Sequence, residues 1–410
     1  MKKLIPVLLA VLLIFPVFAD RQAMPRFAMP NPMSNGMGGP HIALTDNVYS
    51  LIVNPGAITR TNQRSFLNLA PSILSPGLMA ELFGPVMDMA MGMGDDDSMS
   101  DVIRDFLTPL ESQGGRIAVG LELQALPLIS FASVRSGFGF AFWQRMYFDV
   151  RLNGLNSMAN VYVDAMAPIG FGFKILDTDR HVVDAGITIM PFARTMANLG
   201  PVSALDLIDD VGDLMDDLSL PFIVGGSLSA GFMYRLDNGL SVGLTLNDIF
   251  SYGQEVFNLS SDDSAGNSNT TYYIPFTMDM GVAYSMPLGR LFNLDLAFSW
   301  HNVFNIFQQK DYFNDNAILD FSLGAELKII NIFNFRLGVR EMLPSIGFGL
   351  ELGPFMIDTA WYGREFGIEP GDFPVSTIEL LISFRPEPRP TTRLWNRRSL
   401  VGLFGGPESY

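Results

Sequence analysis

The sequence contains no cysteine. This absence excludes disulfide bonds, thiol chemistry and a lipid-modified cysteine. Histidine is scarce as well: only His41, His181 and His301 occur, and none has a ligand partner nearby in the sequence. The segment 225–231, GGSLSAG, lacks the glycine–serine spacing of a nucleophile elbow and falls in a predicted strand. The sequence therefore predicts neither an enzyme nor a cofactor or metal site.

Long apolar runs are missing after the first 19 residues. Residues 1–19 combine two lysines, an apolar stretch and a small-residue cleavage site. They predict a signal peptide, the alternative being an uncleaved membrane anchor. Beyond residue 19 no run of about 18 apolar residues remains, so membrane-spanning helices are not predicted. The formal net charge of −16 argues against nucleic acid or an anionic surface as a partner.

Apolar and small residues are abundant instead. The mean hydropathy is +0.25, 12% of the residues are aromatic, and there are 39 glycines and 33 phenylalanines. This composition is too apolar for an ordinary exported globular protein and too rich in glycine for a helical one. An outer-membrane β-barrel reconciles these values, because its outer wall is apolar without any long apolar run.

Alternation with a period of two recurs along the chain, in 240–247, 276–286, 319–329 and 333–340. A period of two indicates a strand with two different faces. One face carries large apolar residues, and the other carries glycine, small polar residues and isolated charges, which do not suit a crowded soluble core. Lipid on the first face and a wet lumen behind the second fit the pattern. In 291–300 the large residues are Phe292, Leu294, Leu296, Phe298 and Trp300, and those between them are Asn293, Asp295, Ala297 and Ser299.

About fourteen such strands can be placed, an even number as single-chain bacterial barrels require. Tight links such as LDNG at 236–239 alternate with mostly longer loops, as in barrels with short periplasmic turns and long external loops. The predicted fold class is all-β, a transmembrane antiparallel β-barrel spanning 63–386 with an N-terminal lumen plug. The predicted strands lie near 64–72, 115–133, 136–151, 157–176, 180–195, 219–236, 239–252, 271–287, 291–304, 317–330, 332–342, 344–352, 354–363 and 375–385.

The hatch or plug predicted at 20–62 precedes the first strand. It contains a short helical pattern that Thr45 or Asp46 can cap and that Pro55 ends. Irregular backbone at membrane depth must be buried in protein, so we expect this segment inside the barrel. Asn54 precedes a proline, which favours an extended backbone and frees its side-chain amide, and Gly56 can adopt backbone angles closed to other residues. This stretch is either a latch that holds the plug or a turn leading to the first strand.

The segment GMGGPHIALTDNVYSLIVNPGAI resembles the hatch of the long-chain fatty-acid outer-membrane transporters, the FadL-like family. It departs from that hatch in reading Asn-Pro-Gly-Ala instead of Asn-Pro-Ala. The resemblance implies a fourteen-stranded barrel and a hydrophobic ligand. Related hatch segments occur in barrels that shuttle secreted proteins and in an uncharacterised spirochaetal branch, so the resemblance alone leaves the ligand open. The matching positions are Gly38, Gly39, Ala43, Asp46, Asn54, Pro55 and Ala57, with Gly56 as the extra residue of the motif.

The predicted lumen face carries both signs of charge, and we expect most of these charges to pair with one another. A lumen cation could also bind a fatty carboxylate through charge-assisted hydrogen bonds. The candidate cations are Lys174, Arg235, Lys328, Arg336 and Arg340. The carboxylates on this face are Asp279, Asp295, Asp320, Glu326, Glu351, Asp358 and Glu379.

Two loops and the C-terminal tail have distinctive compositions. The first long loop, about 73–114, is rich in Met and Asp and could either capture apolar ligands or be an ordinary surface loop. Residues 203–217 predict an amphipathic loop helix, which packs on the rim or helps to form an apolar entrance. The Pro- and Arg-rich tail, 387–410, predicts a periplasmic extension.

These features together predict a monomeric barrel in the cell outer membrane that takes up hydrophobic small molecules, such as long-chain fatty acids, by diffusion. The substrate class comes from the resemblance, and the barrel comes from the periodicity. The expected partners are fatty acids or other hydrophobic small molecules, membrane lipid and the barrel-assembly machinery, with no nucleic acid. The alternative is a barrel that does not transport and acts in protein export, scaffolding or adhesion.

Overall fold

The computed structural model describes residues 21–29, 31–45, 47–61, 63–65, 67–75, 116–124, 130–133, 137–153, 156–203, 220–258, 270–289, 291–307, 316–330 and 332–384. Several predicted features lie outside these residues. They are the signal peptide, Asp46, the Met- and Asp-rich part of the first loop, the loop helix beyond Ser203 and the C-terminal tail.

The described residues form a closed antiparallel barrel of fourteen strands, which confirms the predicted fold class. Each strand pairs with its neighbour in sequence, and β14 pairs with β1 to close the ring. The strands are β1 (Gln63–Ser65 and Leu67–Ser75), β2 (Arg116–Gln124 and Ser130–Ser133), β3 (Phe138–Ala141 and Trp143–Asn153), β4 (Asn156–Met166 and Ile169–Asp177), β5 (His181–Ser203), β6 (Pro221–Leu236), β7 (Leu240–Asn258), β8 (Thr277–Leu288), β9 (Phe292–Trp300), β10 (Phe321–Ile329), β11 (Phe333–Arg340), β12 (Leu343–Leu352), β13 (Phe355–Glu365) and β14 (Pro374–Phe384).

Strands β3 and β4 are each interrupted once, at Phe142 and at 167–168, where the sequence predicts them to be continuous. The described segments of β1 and β2 pair in two separate tiers. In one tier Leu67–Ser75 pairs with Arg116–Gln124, and in the other Gln63–Ser65 pairs with Ser130–Ser133. In β4 the break falls at Pro168, which has no N–H for the ladder. Strands β5 and β7 also run further than predicted, to Ser203 and Asn258.

The links define two ends of the barrel. Turns such as 237–239 and 353–354 lie at one end, called the turn end here, and the link 366–373 lies at the other, the loop end, with the strand ends Ser203, Pro221 and Asn258. Long loops are external in outer-membrane barrels, so the loop end faces outward from the cell. Two short strands, Arg21–Ala23 and Thr271–Tyr273, pair in parallel near the loop end, and Thr271–Tyr273 also pairs with Gly253 and Gln254 of β7.

The two faces of the wall differ as the alternation predicts. Phe298 is 41% exposed on the outer face, whereas Asp295 is fully buried on the inner face. Leu323 and Leu337 are also among the outward side chains, at 59% and 61% exposure. An apolar outer face on a closed barrel is the arrangement that spans outer membranes, which places the chain there. Among the described residues no helix has the length and apolar character needed to cross a membrane.

The N-terminal segment, defined here as residues 21–61, contains two helices of one turn, α1 (Pro32–Asn35) and α2 (Ser50–Val53), and a 3₁₀ helix (Pro55–Arg60). The predicted capping of α2 by Thr45 is wrong. Helix α2 begins later, after Tyr49, which makes no capping side-chain bond, and the Thr45 hydroxyl donates to the carbonyl of His41.

Candidate functional site in the barrel lumen

The N-terminal segment lies inside the barrel. It contacts the buried face of strands on all sides of the ring, including Asp184 on β5, Asp279 on β8 and Glu379 on β14. Only a chain in the enclosed space can touch that face of so many strands. The site therefore consists of this segment and of the inward side chains that surround it.

A belt of wall glycines brings the backbone of the N-terminal segment close to the wall. A Cβ on Gly338 or Gly324 would overlap the carbonyl oxygen of Met37, and a Cβ on Gly186 would overlap that of Pro55. These approaches exclude every residue but glycine unless the segment moves. The glycine belt comprises Gly172, Gly186, Gly231, Gly243, Gly281, Gly324, Gly338 and Gly347.

The amide of Asn54 joins the segment to itself and to the wall. Its backbone is extended, with φ −154°, as expected before proline. Its Nδ2 donates to the carbonyls of Ile42 at 3.0 Å and Phe232 at 3.2 Å, and its Oδ1 accepts from the N–H of Gly56 at 3.0 Å. Asn54 is fully buried, so each of these bonds is shielded from water.

The glycines of the predicted motif serve two purposes. Gly38 and Gly39 have φ of 81° and 92°, which other residues rarely adopt. Gly56 is different, because it lies within the 3₁₀ helix and is absent from the positive-φ residues. The expectation of unusual backbone angles there is wrong. A Cβ at Gly56 would lie 3.0 Å from backbone atoms of Gly231 and Met233, so a side chain there fits only if the wall or the segment shifts by a few tenths of an ångström.

Charged contacts fix the segment at several further points. Arg26 donates to Oδ1 of Asn247 at 2.6 Å and lies 3.4 Å from carboxylate oxygens of both Asp248 and Asp279. Arg60 donates to Asp184 at 3.0 Å. The wall thus supplies carboxylates, and the segment supplies the cations that neutralise them.

Two of the predicted lumen cations belong to one buried network. Arg336 donates to Glu326 at 2.8 Å and to Asp358 at 2.6 Å, and Lys328 lies 2.9 Å from Glu326 and 3.4 Å from Asp295. The expectation that lumen charges pair with one another is confirmed for this group. The network spans β9 to β13 and makes that side of the lumen polar.

The other three predicted cations lie apart from that network. Arg340 donates to Oδ1 of Asn35 in α1 at 3.0 Å, and Arg235 lies on β6 near the turn end. Lys174 is an exposed residue near the turn end and pairs with Asp177 at 3.0 Å. The structure therefore does not gather the five predicted cations into one site.

A large apolar cluster, which the sequence analysis missed, lines another part of the lumen. Phe27 packs against Phe192 with ring centroids 4.8 Å apart, and Tyr49 stacks on Trp143 at 5.8 Å. The apolar zone, as named here, includes the wall residues Trp143, Met166, Met190, Phe192, Met196, Ile223, Met356 and Leu381 and the segment residues Met24, Phe27, Met29, Met33, Tyr49, Leu51 and Ile58.

The sequence does contain a signal for this zone. In β5 the inward positions 190, 192 and 196 carry Met, Phe and Met, while outward positions such as Ile187 and Ile189 are apolar too. A strand of a water-filled barrel has an apolar outer face only. Apolar residues on both faces of a strand therefore indicate an apolar stretch of lumen.

One buried cation lies at the edge of the apolar zone. Arg194, 1% exposed, pairs with both carboxylate oxygens of Asp164 at 2.6 and 2.9 Å. It also donates to the carbonyl of Pro25 and lies 3.9 Å from the ring centre of Phe27. The N-terminal segment thus covers a guanidinium that is already paired with Asp164, and Arg145 also lies 3.6 Å from that carboxylate. Arg194 was not among the predicted site residues, because its strand has no clean alternation.

In the described parts of the chain no group of three or more His, Asp or Glu residues is arranged to hold a metal ion. His301 lies 3.9 Å from Asp279, whose oxygens also accept from the N–H of Asn302 and the amide of Asn247.

No protein-family model matches the chain, and no curated protein matches it. Among solved structures, the Pseudomonas putida toluene transporter TodX is 12% identical over 89% of this chain and 100% of TodX, with a TM-score of 0.45. The Ralstonia pickettii toluene transporter TbuX is 13% identical over 90% and 99%, with a TM-score of 0.43. A Pseudomonas aeruginosa FadL homologue is 9% identical over 88% and 99%, with a TM-score of 0.43. These values are too low to assign a substrate.

Proposed function

We propose that the chain is an outer-membrane channel through which hydrophobic small molecules enter by diffusion. The observation that carries this proposal is the apolar zone. Exposing inward methionine and aromatic side chains to a water-filled lumen is unfavourable. Such side chains are expected where an apolar ligand takes the place of the water. Methionine also adapts to ligands of different shape, because its side chain is unbranched and flexible.

The ligand class that fits best is an apolar molecule with one anionic group, such as a long-chain fatty acid. Arg194 supports this choice, since its Nε and Nη2 bind Asp164 while its Nη1, which donates to the Pro25 carbonyl, can donate a charge-assisted hydrogen bond to a ligand carboxylate instead. Phe27 and the Pro25 carbonyl cover it in this structure, so a ligand would displace that part of the N-terminal segment. The resemblance of the hatch motif points to the same ligand class.

The N-terminal segment is then the plug of the channel, and Asn54 is its latch. The amide of Asn54 connects Ile42 of the plug to Phe232 of the wall, so a shift of the 3₁₀ helix must break at least one of these bonds. The motif residues Gly38, Gly39, Asp46, Pro55 and Gly56 act with Asn54 in this role. A monomer inserted by the barrel-assembly machinery completes the proposal.

The experiment compares uptake of a radiolabelled fatty acid with uptake of a sugar, in a host that lacks its own hydrophobic-compound transporter. Expression of the chain should raise uptake of the fatty acid only. Met190→Gln in the apolar zone should reduce it, and the control Met280→Gln on the outer face should not, when both are normalised to folded barrel. If the parent chain does not raise fatty-acid uptake, transport is refuted and the non-transporting alternative, in export, scaffolding or adhesion, is favoured.

A further inference from the structure

The link between β13 and β14 folds into the mouth of the barrel. This link, residues 366–373, is called the strap here. Phe366 and Phe373 pack edge to face, with centroids 6.2 Å apart. They cluster with the inward residues Ala118 on β2 and Val375 on β14, which are 0% and 3% exposed. The strap therefore covers the lumen side of the wall.

The strap is built around one carboxylate. Glu365, the last residue of β13, accepts hydrogen bonds from the N–H groups of Gly367 at 2.8 Å, Gly371 at 2.7 Å and Phe373 at 2.5 Å. The side chain is 9% exposed. Bonds to a charged acceptor are stronger than neutral ones, so this single side chain holds the whole loop in its inward conformation.

The strap also reaches opposite points of the ring. On one side the ring of Phe366 lies 3.7 Å below the guanidinium of Arg151 on β3. On the other side Asn316, which precedes β10, donates its backbone N–H to Ile368 at 2.8 Å and its side-chain amide to Glu369 at 2.5 Å. Strands β10 and β3 are seven steps apart in a ring of fourteen, so the contacts cross the mouth from one side to the other.

We propose that the strap is the entrance gate of the channel. Two features hold it closed: the carboxylate of Glu365, and the hydrogen bonds that Asn316 donates to the strap residues Ile368 and Glu369. A hydrophobic molecule that approaches from outside meets Phe366 and Phe373 first. It reaches the plug when the strap releases Arg151 and swings outward. This inference rests on the proposed function for the identity of the molecule that passes.

The gate is tested by a cysteine placed beneath it. The chain has no native cysteine, so Ala118→Cys provides a single thiol under Phe373. Its reaction with a charged thiol reagent, followed by mass, should be slow. Glu365→Gln should speed it about tenfold or more, because a hydrogen bond to a charged group contributes roughly that factor. The control Glu351→Gln, at the turn end, should leave the rate unchanged.

A second arm closes the gate. In a separate variant, Asn316→Cys and Glu369→Cys are joined by a short reducible bis-thiosulfonate, and the rate of fatty-acid binding is measured before and after reduction. The joined form should bind several-fold more slowly than the same variant before crosslinking and regain that variant's own rate on reduction. A control pair at Val339 and Pro344, opposed on β11 and β12, should have no effect.

Equal labelling of Ala118→Cys with and without Glu365→Gln overturns the strap as a cover. A binding rate that the crosslink does not change overturns it as a gate. If the parent chain binds no fatty acid, the proposed function fails, and the labelling arm still decides whether the strap closes the mouth.

Discussion

Alanine at Gly338 should force the N-terminal segment away from the wall. The new Cβ would overlap the backbone of Met37, which no side-chain rotation can relieve. Gly324, opposite Gly338 in the register, faces the same carbonyl. Overpacking of this kind costs about 1–3 kcal/mol. At the upper limit the population of displaced segment rises about a hundredfold. Because both glycines contact one atom, the double variant should cost less than the sum of the single ones.

The assay is limited trypsin digestion of the folded, heat-modifiable barrel, with cleavage after Arg26 and Arg60 as the readout. Conductance in planar bilayers should rise in parallel, since a displaced segment opens the lumen. The matched control is Gly226→Ala, because the nearest atom to a Cβ there is the carbonyl oxygen of Met190 at an ordinary 3.8 Å. If Gly338→Ala resists trypsin and conducts like the parent, the segment is not held by close backbone approach and the reasoning is refuted.

The remaining predictions concern the wall and the latch. Phe298→Lys should impair membrane assembly by roughly 2–4 kcal/mol, and Asp295→Asn should be far milder; equal yields of folded barrel from the two would contradict the assignment of the faces. Arg336→Met should lower stability to urea by about 3–5 kcal/mol, because the buried Asp358 loses its ion pair and Glu326 is left with Lys328, and an unchanged midpoint would contradict the network. Asn54→Ala should leave heat-modifiability intact but admit small polar dyes; parental exclusion of dye would show that the segment is only a connector.

The barrel could be predicted because outward apolar and inward polar or small side chains alternate along its strands. In 291–300 every second residue meets lipid, and the register of β9 with β8 and β10 preserves that alternation along the whole strand. The extended backbone of Asn54 was equally predictable, since proline constrains the residue before it. Both features depend on residues that are adjacent in sequence.

The apolar zone and the interruptions depend on contacts that no local pattern records. Arg194 is significant because Asp164 and Phe27, far away in sequence, meet it in the folded chain. The helix start at Ser50 has a local cause instead. Thr45 has the right chemistry for a cap, but its hydroxyl is already bonded to His41, four residues earlier.

The most direct test of the central claim is whether a hydrophobic ligand enters the apolar zone. Trp143 is fully buried there, against Tyr49, and three other tryptophans can be replaced by phenylalanine to leave it alone. In nanodiscs, a brominated fatty acid should quench Trp143 saturably, and the unbrominated acid should compete. A matched variant that keeps only the outward Trp361 should be quenched without saturation or competition, through the bilayer. If Trp143 is not quenched, or is quenched only as Trp361 is, no ligand occupies the lumen and the proposed channel is contradicted.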